Sequence, residues 1–222
     1  MDMKDSLRMD DKNYKILLCE YEDIFIPEDY NISPIWKNDI NFKYYGAYEL
    51  IDYQLYLHEF TVTSDREYPT INGVKPDVFY SEKIMSTAEY QNLSLALDFT
   101  GAMIVVNEFI KDYGNDKMQA FNYKYVKELI FLNGKLVTTI NHSKAMQRIR
   151  RNLETGLRDL SKRRDEKCIK KFIKSSFVGN YEKPLKRNKR EEDKLFIIKK
   201  FLYRINELKN LELINRDKEL KF

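Results

Sequence analysis

Leu129-Ile130-Phe131-Leu132-Asn133-Gly134-Lys135-Leu136-Val137-Thr138-Thr139-Ile140 sets an Asn-Gly pair between two apolar, β-branched runs. Both central residues of the tightest hairpin turn need positive φ, and Asn-Gly meets that need at the least steric cost. The stretch predicts two antiparallel strands joined by a two-residue turn. It also predicts that the chain before residue 143 is built on a sheet.

Working upstream, Ile51, Tyr53, Leu55 and Leu57 alternate with Asp52, Gln54 and His58, which predicts a strand over Ile51–Thr63. The apolar parity then moves to Phe60 and Val62, as a bulge or a doubly buried strand would require. Asn72-Gly73 reads as a turn, and residues 13–19 as a short strand or a helical turn. Residues 22–45, with Pro27, Pro34 and Trp36, read as irregular. Leu93–Phe99 alternates again. Ala102–Asp112 fits either a return strand after Thr100-Gly101 or a short helix ended by Gly114.

The pattern changes at residue 143. Met146, Ile149, Leu153, Leu157 and Leu160 recur at three and four, the stripe of a helix that Ser143 is placed to cap. Lys144, Arg148, Arg151, Arg158 and Lys162 fall on the opposite side, within an arc of about 80° and over roughly 27 Å of helix. A second helical piece is expected over 165–174 and a break over Phe177–Pro184. Leu185–Arg190 reads as a basic connector. A last helix is expected from about Glu191 to Ile214, with Leu195, Ile198, Leu202, Ile205 and Leu208 as an apolar face that needs a partner. The expected fold is α+β: a polar N-terminal tail (1–12), an acidic, mostly antiparallel β-sheet domain (13–142), and a basic helical C-terminal segment (143–222).

Charge follows the same division. The net of +4 over 222 residues combines a first part with 14 Lys and Arg against 23 Asp and Glu, and a second with 25 against 12. Residues 144–190 alone carry 17 basic and 5 acidic side chains. Lys and Arg that neutralise phosphate release condensed counterions, a sequence-independent driving force. The expected function is therefore non-enzymatic, nucleic-acid-associated binding, with RNA or DNA phosphate met by Lys144, Arg148, Arg151, Arg158, Lys162, Arg163, Lys186, Arg187, Lys189 and Arg190. The competing reading is a protein–protein or structural assembly component of a phage, viral or immunity system. There the basic face pairs with an acidic partner and the 191–214 helix docks on a protein. Of 16 tyrosines, 14 precede residue 143. In an acidic region they favour core and interface over base stacking.

Several chemistries fall away. The 7 glycines are too widely spaced for a P-loop, a dinucleotide loop or a nucleophile elbow. Cys19 and Cys168 cannot form a zinc ribbon, so no cofactor is expected, and a reducing, cytoplasmic compartment is the default; nuclear or organellar placement stays open. No apolar run is long enough to span a membrane, and the polar start fits neither a secretory signal nor a transit peptide. A third reading, a divalent-metal nuclease, rests on Asp77, Asp98 and Glu108, with Glu49 upstream. Its acid-x-Lys element fails, because Glu82-Lys83 lacks the intervening residue and Glu108–Lys111 has one too many. His58-Glu59 and His142 would make an acid–base pair only if the strands brought them together.

Overall fold

The computed structural model describes residues 5–35, 44–64, 66–80, 86–111, 120–155, 171, 176–181, 199, 203 and 206. Among the described residues ten strands appear in chain order: β1 (Ser6–Met9), β2 (Lys12–Cys19), β3 (Tyr44–Ile51), β4 (Gln54–Ser64), β5 (Asp77–Tyr80), β6 (Ser86–Tyr90), β7 (Leu95–Ala96), β8 (Gly101–Phe109), β9 (Tyr123–Leu132) and β10 (Lys135–Asn141). A helix, α1 (Ser143–Glu154), follows, and 3-10 turns cover Pro27–Tyr30 and Ala120–Asn122. The fold is mostly β with one C-terminal helix among the described residues, hence broadly α+β.

The strands hydrogen-bond in the order β10-β9-β8-β2-β1-β3-β4-β6-β5, and β10 also pairs with β4. That extra pairing closes the seven strands from β10 to β4 into a ring, with β6 and β5 continuing outward from β4. Closure is made where two hairpin turns meet. Leu55 N–H donates to the Gly134 carbonyl at 2.9 Å, and Leu136 N–H donates to that of Tyr53 at 2.7 Å. A closed ring leaves fewer unpaired strand edges than an open sheet. Among the described pairings, β1–β3 is parallel and the others antiparallel.

The core is aliphatic and aromatic. Leu7, Leu55, Leu57, Phe60, Phe99, Met103, Leu129 and Phe131 are all buried. Phe60 packs on Phe25 and Tyr90, and Phe99 on Tyr21 and Phe131. Each such side chain contributes about 1.5–3 kcal/mol on burial.

The Asn133-Gly134 hairpin forms as its residues require, with φ of 49° and 74°. Asn72-Gly73 is likewise a turn, bridging Ile71 to Val74. The parity shift in β4 is a bulge. Leu57 faces Tyr48 and Glu59 faces Ala47, so His58 is the extra residue. Residues 13–19 are strand, within β2.

Four expectations need correction. Ser6–Met9, assigned to a polar tail, is a strand inside the ring, and Leu7 is 0% exposed. Only two of its residues are apolar, and acids on both sides hide them. The strand expected over Ile51–Thr63 is two pieces: Ile51 ends β3, Asp52-Tyr53 turns, and β4 starts at Gln54. Within Ala102–Asp112, residues 102–109 are strand, the first of the two alternatives, but they pair with β2 and β9 rather than with 93–99. Ser143 is the first residue of α1 rather than its cap, which is His142. The Ser143 hydroxyl instead accepts from Val126 N–H at 3.1 Å, which ties the helix start to β9.

No helix among the described residues is long and apolar enough to cross a membrane. Lys171, Ser176, Lys199, Tyr203 and Asn206 are helical. The remainder of the expected 165–174 and 191–214 helices, and the 185–190 connector, lie outside the described residues.

Candidate nucleic-acid interface

α1 runs back along β9. It starts at Val126, and further along Arg150 Nη1 donates to the carbonyls of Phe121 at 2.9 Å and Tyr123 at 2.7 Å. Met146 and Ile149 are buried beneath it, with Ala145 and Leu153 partly so. At 100° per residue this leaves Lys144, Arg148 and Arg151 on the far side, and all three are exposed. Among the described residues, none of the three is ion-paired to a carboxylate. Arg158, Lys162, Arg163, Lys186, Arg187, Lys189 and Arg190 lie outside the described residues.

Arg150 behaves differently from its neighbours. It is buried and satisfies two carbonyls at the entry to β9. Its position was readable, because it stands four residues after Met146 and next to Ile149, on the apolar stripe. A guanidinium there needs fixed acceptors, and the turn at Ala120–Asn122 supplies one of them.

Beside the helix start lies a buried carboxylate that the sequence reading passed over. Glu128 is 0% exposed. It accepts from His142 Nε2 at 2.9 Å, from the N–H groups of Val178 and Gly179 at 2.9 Å each, and from the Tyr181 hydroxyl at 2.8 Å. Glu20, also buried, accepts from Asn180 N–H at 3.3 Å. Phe177 stands edge-on to the His142 ring at 4.8 Å, and Tyr181 packs on Phe177. Burial, and then the charge of Glu128, push the Tyr181 hydroxyl well above its ordinary range, so it stays a donor. The segment Phe177–Tyr181 is thus clipped to Glu128 of β9, and to Glu20 just past the end of β2, by three backbone N–H groups and the Tyr181 hydroxyl. Glu128 did carry a signal. Val126, Glu128 and Ile130 share one face of an apolar strand, and an acid on such a face needs donors.

A second, partly buried carboxyl just ahead of β1 reaches β3. Gly46 N–H donates to Asp5 Oδ1 at 2.8 Å, and Tyr44 donates to Asp23. Desolvation raises the Asp5 carboxyl to about 6; the Gly46 N–H opposes this and Asp23 adds to it. A Cβ at Gly46 would lie 2.8 Å from the Tyr48 ring, so a side chain there would require that ring to shift.

The residues of the nuclease reading are not assembled. Asp77 opens β5 opposite Glu89, and Glu108 near the end of β8 is held by Lys124 at 2.7 Å. By the shorter route around the sheet, β6, β4, β10 and β9 lie between them. Asp98 sits between β7 and β8, and Glu49 is beside Arg8 and His58. Among the described residues no group of three or more His, Cys, Asp and Glu side chains could hold a metal ion. The two histidines face different acids: His58 lies 3.9 Å from Glu49, and His142 contacts Glu128.

No family model matches the chain, and no curated protein or solved structure matches it.

Proposed function

We propose that this protein is a non-enzymatic, nucleic-acid-associated binding protein that meets the phosphate backbone through its basic C-terminal helices, beginning with α1. The observation carrying this reading is the exposure of Lys144, Arg148 and Arg151 on one side of a helix whose other side is packed on β9. Had the acidic part of the chain neutralised them, these side chains would lie against carboxylates. From Lys144 to Arg151 is about 10 Å of helix, comparable to the rise of about three phosphates along one strand. Arg158, Lys162, Arg163, Lys186, Arg187, Lys189 and Arg190 would extend this contact.

Binding of generic RNA and DNA across a salt series tests the reading. The logarithm of affinity should fall linearly with the logarithm of salt. Replacing Lys144, Arg148 and Arg151 together by Gln should make that slope shallower by roughly 2–3. No binding at about 50 mM salt, or a flat dependence, would sink it.

A protein-assembly role is the second reading, favoured by a separate observation. Ile51, Tyr53 and Val137 are exposed apolar side chains where the β3–β4 turn meets β10. Mass measurement with and without an acidic partner protein separates the two.

A further inference from the structure

The start of α1 and the Phe177–Tyr181 segment converge on the same few residues of β9. His142 caps α1. Its backbone N–H donates to the Val126 carbonyl at 2.9 Å, and its own carbonyl accepts from Met146 N–H at 3.0 Å. The ring of that same residue is held by Glu128 on one side and by Phe177 edge-on. Whatever moves the His142 ring therefore acts on the first turn of the basic helix.

Glu128 makes the connection energetic. The carboxylate is met by His142, two backbone N–H groups and the Tyr181 hydroxyl, all of them donors. All but the first come from 178–181. With that segment lifted away, the carboxylate would keep only His142 of these partners. Removing partners from a buried charge is strongly unfavourable, so the site would rearrange by admitting water or turning the imidazole. The released anion would also lie two residues along β9 from the point where α1 begins, and a carboxylate there repels phosphate.

We propose that Phe177–Tyr181 is a strap whose docking on Glu128 holds the basic face of α1 in its binding position, with Glu128 and His142 as positioning residues. This rests on the reading of α1 as a phosphate-binding surface. Coupling of this kind is reciprocal: polyanion bound to α1 tightens the strap, and a loosened strap weakens binding.

The strap can be loosened without altering any charge or any strand. At Gly179 an added Cβ would lie 2.7 Å from the Tyr181 hydroxyl and 2.9 Å from Ala102 Cβ. Gly179→Ala therefore displaces the strap, and Tyr181→Phe deletes one donor to Glu128 with little change of shape. The experiment measures binding of a fluorescein-labelled generic RNA, together with the imidazole NMR signals. The protein has 2 histidines, so His58 serves as an internal control. Both variants should lose roughly 5- to 150-fold in affinity with every Lys and Arg intact. In the wild type, RNA should shift the His142 signals and leave His58 in place. Amide protection in β9 and β10 should match the wild type, which separates a displaced strap from a damaged sheet. If Gly179→Ala does not fold, Tyr181→Phe carries the test. Wild-type affinity in the variants, or a His142 signal indifferent to RNA, overturns the strap and leaves the phosphate reading standing. If the wild type binds no RNA at low salt, both fall together.

Discussion

Asp5 shows what a single desolvated, half-buried group does to the pH response of this fold. Its carboxyl titrates near 6 in the folded chain against an ordinary 3.8. Folding therefore favours the protonated form. Below about 4 the group is neutral in both states and costs nothing. As pH rises from about 4 to 6 the unfolded chain ionises first, so stability falls; above that range the penalty is constant. Asn in this place mimics the protonated acid and still accepts from Gly46 N–H. Asp5→Asn should match the wild type near pH 4 and exceed it by about 1–3 kcal/mol at pH 7.5 in urea unfolding. Equal stabilities at both pH values would show that the carboxyl is better solvated than its contact with Gly46 implies. The sequence offered no warning here, because Asp5 is one of 23 acids before residue 143 and its burial depends on β1 lying beside β3. Arg150 is the opposite case, since helical spacing alone placed it on the buried stripe.

At the scale of elements, what was legible follows turn chemistry. Three tight turns join neighbouring strands with positive φ at both central residues: Asp10-Asp11, Asp52-Tyr53 and Asn133-Gly134. Only the last announces itself, and only its hairpin was read correctly from the sequence. The other two place ordinary side chains in left-handed backbone, which each L-residue adopts at a cost of about 1–2 kcal/mol. The surrounding strands impose those turns. In β3–β4 the register is held by eight residue pairs and by closure against β10. A local rule sees a single alternating run through Ile51 and Thr63, because tertiary pairing rather than local preference makes the bend. Tyr53 is 72% exposed, so little packing is lost by changing it. Writing the preferred turn into the chain, as Asp52→Asn with Tyr53→Gly, should raise stability by about 1 kcal/mol and leave the fold unchanged. Thermal unfolding reads this directly. A lower melting temperature would mean that Tyr53 contributes contacts worth more than the strain it bears.

For the whole molecule the decisive feature is closure, which no local pattern encodes. β4 and β10 are about 80 residues apart in sequence and meet at one register pair, Gln54 with Lys135. The hinge of that meeting is Gly134. Its N–H donates to the Phe99 carbonyl at 2.8 Å, its carbonyl accepts from Leu55, and Gln54 Nε2 donates to the Leu97 carbonyl at 3.0 Å. An added Cβ would lie 1.8 Å from the Leu97 oxygen, so backbone on both sides must move. Gly73 supplies a matched control. Its φ is +80° against +74° for Gly134, yet a Cβ there meets nothing within 4 Å. Both Gly→Ala substitutions share the left-handed backbone cost of about 1 kcal/mol. Only Gly134→Ala also opens the ring. Urea unfolding should place Gly73→Ala about 1 kcal/mol below the wild type and Gly134→Ala at least about 3 kcal/mol below it. Hydrogen exchange should speed up in β4, β7 and β10 together in the second variant, because one contact holds all three. If the two variants were equally destabilised, the ring would be an open sheet with touching ends, and the basic helix would ride on a far more pliable base.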